Sequence, residues 1–304
     1  MADDSFSDIL RFMRARILHS SGLIAGGSWA VSFPRSTRIK FWGVAKGICW
    51  LTQGDAPPIR IETGDVLLCN GGPPLVFGSD PAVTPVDIAA VARNRTGAIV
   101  RHNDGDDFFL LGGQVALEAD CEALLFEALP PFIHVPSGSP QSAVLHWLID
   151  QLVRESDGGL LGADAVMEQL AHLMFIQILR AHLGVADGIA PGWLRAVADR
   201  RLAPALRLMH AEPSRSWQLG ELARSTGMSR AAFAAYFKIV AGTTPMAYLT
   251  EWRMRLAKRA LRDGSTPLRP LAQSLGYASE SAFSNAFKRV TGTAPRTYRD
   301  AMPG

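Results

Sequence analysis

The chain has 304 residues, 48% of them hydrophobic and 19% charged, with 31 Lys and Arg against 28 Asp and Glu for a net charge of +3. That length allows two domains. No uninterrupted apolar run of about 18 or more residues occurs, which argues against a membrane span, and the three widely spaced cysteines (Cys49, Cys69, Cys121) form no zinc spacing and fit a reducing compartment.

The first residues, MADDSFSDILRFMRARIL, are acidic and then amphipathic, without an apolar core leading to a small-residue cleavage site. The expectation is a cytoplasmic protein. From Trp29 to Pro136 the runs IKFWGVA, ICWLTQ, IRIE, DVLLCN, FFLLGGQVAL and EALLFEAL alternate with Gly, Pro, Asn and Asp clusters. They predict an antiparallel sheet protein, a sandwich or small barrel, with Gly64 and Asp65 turning the chain into VLL. After Pro136 the pattern turns helical. SAVLHWLIDQLVRES carries Val144, Leu145, Leu148 and Leu152 along one stripe, and ADAVMEQLAHLMFIQILRAHL is apolar on more than one face, so it needs two partners. GVADGIAPGW, residues 184–193, reads as the hinge, and a helix is expected from Leu194 to Ala211.

The last third contains one pattern twice. SRAAFAAYFKIVAGTTPMAY begins at Ser229 and SESAFSNAFKRVTGTAPRTY at Ser279, 50 residues later, with 10 of 20 positions identical. In each copy the apolar positions fall at helical spacing: Phe233, Phe237 and Val240, then Phe283, Phe287 and Val290. Ser229 and Ser279 stand where N-caps belong, while Gly242 and Gly292 end the helices and Pro245 and Pro295 start the next ones. A shorter helix precedes each copy, joined through Gly227 or Gly276, which makes each a helix-turn-helix. Pro270 lies in the first turn of the second short helix if that helix starts near Leu268. The connector PMAYLTEWRMRLAKRALR, from Pro245 to Arg262, reads as one helix. It spans on the order of 27 Å, close to the roughly 34 Å between successive major-groove faces. From Ala205 onward there are 15 Lys and Arg against 6 Asp and Glu, whereas the first 204 residues hold 16 against 22. The basic third is where phosphates would be met.

GMSRAAFAAYFK, GTTPMAYL, WRMRLAKRALRDG and GYASESAFSNAFKRVTGTAPRTYR resemble the DNA-binding domain of the AraC/XylS family of bacterial transcription regulators. The resemblance implies a seven-helix, double helix-turn-helix domain, DNA as partner, and an activator working with RNA polymerase. The succession GICWL, IRIETGDVLLC, LLGGQVAL and EALPPFIHVP resembles the cupin-type sensor domain of one subgroup of that family. There the helical pair packs on the sensor barrel and forms the homodimer contact, which would also account for Met167, Leu170, Met174, Ile178 and Leu179. The chain is thus read as α+β. Residues 1–136 form a cupin-like antiparallel β-barrel and 137–183 a helical dimerisation segment; 184–193 are a linker and 194–304 an all-α double helix-turn-helix domain.

On the first reading helix, capped by Ser229, the outward residues are Arg230, Ala231, Ala234, Ala235 and Lys238. Alanines offer only apolar contact, for instance with a thymine methyl, which leaves Arg230 as the base-reading candidate. On the second they are Glu280, Ser281, Ser284, Asn285 and Lys288; Asn285 matches adenine and Glu280 cytosine. The family commonly has arginine at the position of Asn285, so this chain departs there. Arg253, Arg255, Lys258 and Arg259 of the connector are read as phosphate contacts or a solvated face.

Where metal-binding cupins place histidines this chain has Lys40, Phe41, Trp42 and Gly72, Pro73, Pro74. His102 and His134 are too few to hold a first-row metal, so no metal, no cofactor and no enzyme activity are expected. Trp29, Phe33, Phe41, Trp42 and Trp50 either fill the barrel or line a pocket for a small-molecule effector, Trp29, Phe41, Trp42 and Trp50 being the candidates. Two further readings stand beside the main one: an oxidant sensor using Cys49 and Cys69, though neither has a cation placed to lower its pKa, and a cupin enzyme with an accessory basic domain.

Overall fold

A computed structural model describes residues 5–13, 15–94, 99–117, 119–156, 160–184, 189–264 and 266–301. The chain divides into two compact units, Met13–Gly188 and a second made of Met1–Phe12 with Ile189–Gly304. Helix α1 (Ser5–Met13) is followed by strands β1 (Arg16–Ala25), β2 (Ala30–Phe33), β3 (Ile39–Lys46), β4 (Ile48–Gln53), β5 (Ile59–Glu62), β6 (Val66–Cys69), β7 (Leu75–Gly78) and β8 (Val86–Asp87). The short helix α2 (Ile88–Val91), strands β9 (Ile99–His102) and β10 (Phe108–Ala116), helix α3 (Ala119–Ala128), strand β11 (Phe132–Val135) and the pair α4 (Ser142–Ser156) and α5 (Ala163–Gly184) complete the sheet domain.

Its strands form two sheets, ordered β11-β6-β3-β10-β1-β9 and β5-β4-β7-β2-β8. Leu23, Trp42 and Leu110 of the first share one core with Val31, Leu51 and Phe77 of the second. The expectation of a wholly antiparallel domain is corrected: β1 pairs with β9 and β2 with β8 in parallel. Both partners are reached by long crossovers, which is what parallel pairing requires. EALLFEAL, expected as a strand, lies in α3 as far as Ala128. Its neighbourhood buries Cys121, Leu125 and Leu129, a four-residue spacing that fits a helix face and not a strand, and Pro130 and Pro131 follow it.

Alternation along β3 decides where the aromatic residues go. Trp42 and Val44 face the core between the sheets, so Phe41 and Gly43 face the other side, beside Ile149 and Met174 of the helical pair. A Cβ on Gly43 would lie 2.8 Å from Ile149 Cγ1, so the bare backbone lets α4 pack directly on the strand. Trp50 stands between Cys49 and Leu51, which point into the core, and therefore turns outward, opposite Arg60 on β5. Asp65 is buried and tied by His134 Nε2 at 2.8 Å and by the backbone N–H groups of Ser137 and Glu62 at 2.8 and 3.2 Å. Burial raises its pKa, but these hydrogen bonds outweigh it and hold the carboxyl below its ordinary range. His134 is thereby assigned to bracing the β5–β6 turn.

On the helical pair, Met174, Ile178 and Leu179 are buried within the chain itself, as packing of the pair on the sheet domain requires. The large apolar residues left exposed there, among the described residues, are Val144, Trp147, Leu160, Leu161 and Val166.

In the second unit eight helices follow among the described residues: α6 (Trp193–Ala198), α7 (Ala203–Ala211), α8 (Leu219–Ser225), α9 (Arg230–Ala241), α10 (Pro245–Arg262), α11 (Leu268–Ser274), α12 (Glu280–Thr291) and α13 (Pro295–Asp300). Seven were expected. The helix read from Leu194 to Ala211 breaks after Ala198, where Asp199 Oδ1 accepts from the N–H groups of Arg201 and Leu202 and Pro204 opens the next helix. Of the hinge at 184–193, residues 185–188 lie outside the described residues. Helix α1, read with the barrel, groups with the helical unit: Phe12 meets Trp252 at 5.3 Å between ring centroids, and Asp8 Oδ2 lies 3.7 Å from His210 Nδ1.

Candidate nucleic-acid interface

The two helix-turn-helix units are built by the same local chemistry. Ser229 Oγ accepts from Ala232 N at 3.2 Å and Ser279 Oγ from Ala282 N at 3.1 Å, satisfying an otherwise orphaned amide at the start of each reading helix. Gly242 (φ 70°) and Gly292 (φ 80°) close the helices in the left-handed conformation, and Gly227 (φ 69°) and Gly276 (φ 80°) make the turns before them. Helix α8 starts with a capping box between Gln218 and Glu221. Pro270 is the third residue of α11, inside its first turn, where the missing N–H is not needed.

Each reading helix is held by aromatic rings. Phe237 meets Phe233 at 5.7 Å and Tyr248 at 5.6 Å, and Phe287 meets Phe283 at 5.8 Å and Tyr298 at 5.5 Å. All four phenylalanines are fully buried. The stripe differs at its end. Val240 is 2% exposed, whereas Val290 is 43% exposed, against the expectation that both are buried. Helix α6 lies beside α9, and Gly192 N donates to Val240 O, so the first helix has a cover there.

Of the residues expected to face DNA, Ser229, Arg230, Ala231, Ala235 and Lys238 are exposed and Ala234 is half-buried; Ser281, Asn285 and Lys288 are exposed, with Glu280 and Ser284 half-buried. Ala232, Ile239, Ala282 and Arg289, not singled out from the sequence, are exposed as well. Ile239 lies four residues after Ala235 and Arg289 four after Asn285, so helical spacing alone would have found them. Glu280 is held by Arg296 Nη2 of α13 at 3.3 Å. Tyr236 Oη donates to Asp199 Oδ2 at 2.6 Å, fixing the back of α9, and this bond raises the pKa of the phenol.

The connector cations all have partners within the chain. Arg253 donates from Nε to Pro213 O at 2.6 Å and from Nη2 to Arg215 O at 2.9 Å. Arg255 pairs with Glu251 at 3.5 Å, Lys258 Nζ lies 5.7 Å from the Tyr298 ring centroid, and the Arg259 guanidinium lies 5.8 Å from that of Phe12.

In the sheet domain, Trp29, Phe41, Trp42 and Trp50 do not share one space: Trp29 meets Phe108 at 5.0 Å between tilted rings in the core, and Phe41 and Trp50 face away from it. Trp42 lines a cavity of about 100 Å³ with Leu23, Phe33, Ile88, Val100 and Leu110. Cys49 and Cys69 are buried, and burial pushes both thiols up from their ordinary value. Among the described residues no three His, Cys, Asp or Glu side chains converge as metal ligands do, and no helix is long and apolar enough to cross a membrane.

Two capped reading helices on one connecting helix, in the basic third of the chain, define a DNA-binding protein of the double helix-turn-helix class. A cupin family model matches residues 4–184 and a helix-turn-helix domain model residues 222–301. AraC-like transcription regulators of Streptomyces antibioticus and Streptomyces lividans are 40% and 38% identical over 97% of this chain and 98% of theirs. Among solved structures, a regulator with an AraC-type DNA-binding domain from Chromobacterium violaceum is similar at 28% identity and a TM-score of 0.32, covering 34% of this chain and 95% of that one. The chain belongs to the AraC family of DNA-binding transcription regulators.

Proposed function

We propose that this regulator activates transcription with RNA polymerase, that it does so as a homodimer, and that a small apolar effector in the sheet domain controls it. The cavity lined by Trp42, Phe33, Leu23, Ile88, Val100 and Leu110 carries the reading. Its lining has no ionisable side chain, so it suits a neutral ligand. At about 100 Å³ it is smaller than the ~150 Å³ apolar cavity that takes benzene; a larger effector would have to move α2, which supplies Ile88. Such a ligand acts only through a difference in affinity between two arrangements of the protein. Support for the dimer comes from Val144, Trp147 and Val166, large apolar residues left on the outer side of α4 and α5.

Base reading is assigned to Arg230, Ala231, Ala235 and Lys238 on α9 and to Ser281, Asn285 and Lys288 on α12, with Glu280, Ser284 and Ala234 at the edges of those faces. The test is selection of bound duplexes from random DNA by the purified protein across salt concentrations, followed by a reporter driven from the recovered motif. Two contact blocks about one helical turn apart, with reporter output rising when the protein is supplied, are expected. A steep salt dependence without an enriched motif would remove the base-reading assignment. A fall in reporter output would make the protein a repressor.

A further inference from the structure

A connecting helix by itself is a weak ruler. Helix α10 is joined to α9 and α11 through turns, and each turn is a place where a reading head can swing. The structure adds a second connection between the heads. Pro213–Arg215 leads into the first helix-turn-helix, and its carbonyls at Pro213 and Arg215 both accept from the guanidinium of Arg253. The same guanidinium lies 5.8 Å from the ring centroid of Tyr277, the residue after the turn glycine of the second helix-turn-helix. Independently, a Cβ on Gly276 would fall inside the carbonyl oxygen of Ser214, so the turn of the second head rests against the entry of the first.

The chemistry of this contact makes it stiff. A guanidinium presents its donors in a fixed planar fork, and two backbone carbonyls at set positions define its orientation. Arg253 is half-buried, and burial lowers its pKa; removing it would leave the two carbonyls without that donor. Two of its donors are occupied inside the protein.

We propose that Arg253 is a positioning residue that fixes the spacing and phase of the two reading helices, so that only operators with their contact blocks at one separation are accepted. The proposal rests on two-headed reading of DNA. Changing the separation by two base pairs rotates one block by about 70° relative to the other. A braced protein then loses one set of contacts.

The experiment uses the full-length protein and the two-block duplex most enriched from random DNA, with the spacer shortened or lengthened by two base pairs, and duplexes holding either block alone. The wild type is expected to bind the altered spacings about tenfold or more weaker, the loss of at least one base pair's worth of contacts. Arg253→Gln should bind all spacings within about threefold of one another while binding single blocks as the wild type does. Arg253→Lys, with one amine in place of the fork, should fall between them. Unchanged single-block binding shows that the heads are folded; should the glutamine variant lose it, the lysine variant decides. Wild-type discrimination in the folded variants would overturn the brace and leave two-headed reading intact. Equal binding of single- and two-block duplexes by the wild type would overturn two-headed reading, and the brace with it.

Discussion

The two helix-turn-helix units have the same inside and different outsides. Phe233, Phe237 and Tyr248 are matched by Phe283, Phe287 and Tyr298, ring for ring, and both reading helices begin on a capping serine and end on a left-handed glycine. Outward, Ala231, Ala235 and Ile239 of the first face solvent where the second presents Ser281, Asn285 and Arg289. Packing tolerates little change at the first set, because a core at native density feels a single methylene. Nothing of the kind restrains the second set. The contrast teaches that this repeat preserves a scaffold and varies its outward face, with Ala231, Ala235 and Ile239 in one head where the other has Ser281, Asn285 and Arg289.

The largest expected effects test the shared inside. Phe237→Ala and Phe287→Ala should each lose about 3–5 kcal/mol of stability in chemical denaturation. The first should be the worse, since Tyr248 is also bonded to His210 Nε2 at 2.9 Å and His210 stacks on Trp252 at 4.2 Å. Equal losses would show that the aromatic chain running on toward Phe12 and α1 adds nothing to the first head.

That chain also predicts an asymmetry in acid. His210 is buried with Tyr248, Arg255 and Asp8 around it; burial first, and then Arg255, push its pKa down to about 4, and the Asp8 carboxylate at 3.7 Å does not offset them. With a folded value near 4 and an unfolded value of 6.5, the unfolded chain takes up the proton first as pH falls. The contribution is full above about pH 6.5 and is lost toward pH 4, on the order of 3 kcal/mol. No histidine follows His210 in the chain, so the second head has no such group. Denaturation between pH 7 and 4 should show a shallower acid loss for His210→Gln; an unchanged slope would mean that other groups govern it.

What could be read from the sequence divides along the same line. The repeat, its caps and the connector from Pro245 to Arg262 are visible because local rules, a 3.6-residue period and a few cap residues, suffice to write them. The faces of the sheet domain were harder. Phe41 and Trp42 are neighbours and must point opposite ways, so they cannot line one pocket. EALLFEAL is short enough to suit either a strand or a helix, and only its buried side settles which. The partners of Arg253 and α1 were not legible, because Pro213, Arg215, Trp252 and His210 lie far away in the chain.

On the outside of the second head, Asn285→Ala should relax specificity within the block under α12 by about 1–3 kcal/mol, the value of a bidentate contact to adenine. Competition binding against single-base variants of that block gives the measurement. A uniform loss on every variant would mean that Asn285 touches phosphate only, and the polar head would then owe its reading to Ser281 or Glu280.

The first head calls for the smallest and most selective change. Ala231, Ala235 and Ile239 lie on one outward line with no hydrogen-bonding group among them, and Ile239 is 63% exposed. Such a face can recognise a thymine methyl and little else on a base edge. Replacing thymine by deoxyuridine removes that methyl and leaves every hydrogen-bonding group of the base in place. In the block under α9 each contacted methyl should then cost about fourfold in affinity, the worth of one buried methylene. In the block under α12, where Asn285 and Ser281 are proposed to read polar edges, the same replacement should change binding little. A matching loss in both blocks would point to thymine methyls shaping the duplex rather than being read. No loss in either would leave the apolar line of α9 without a role in base recognition, and Arg230 and Lys238 would be its only contacts with DNA.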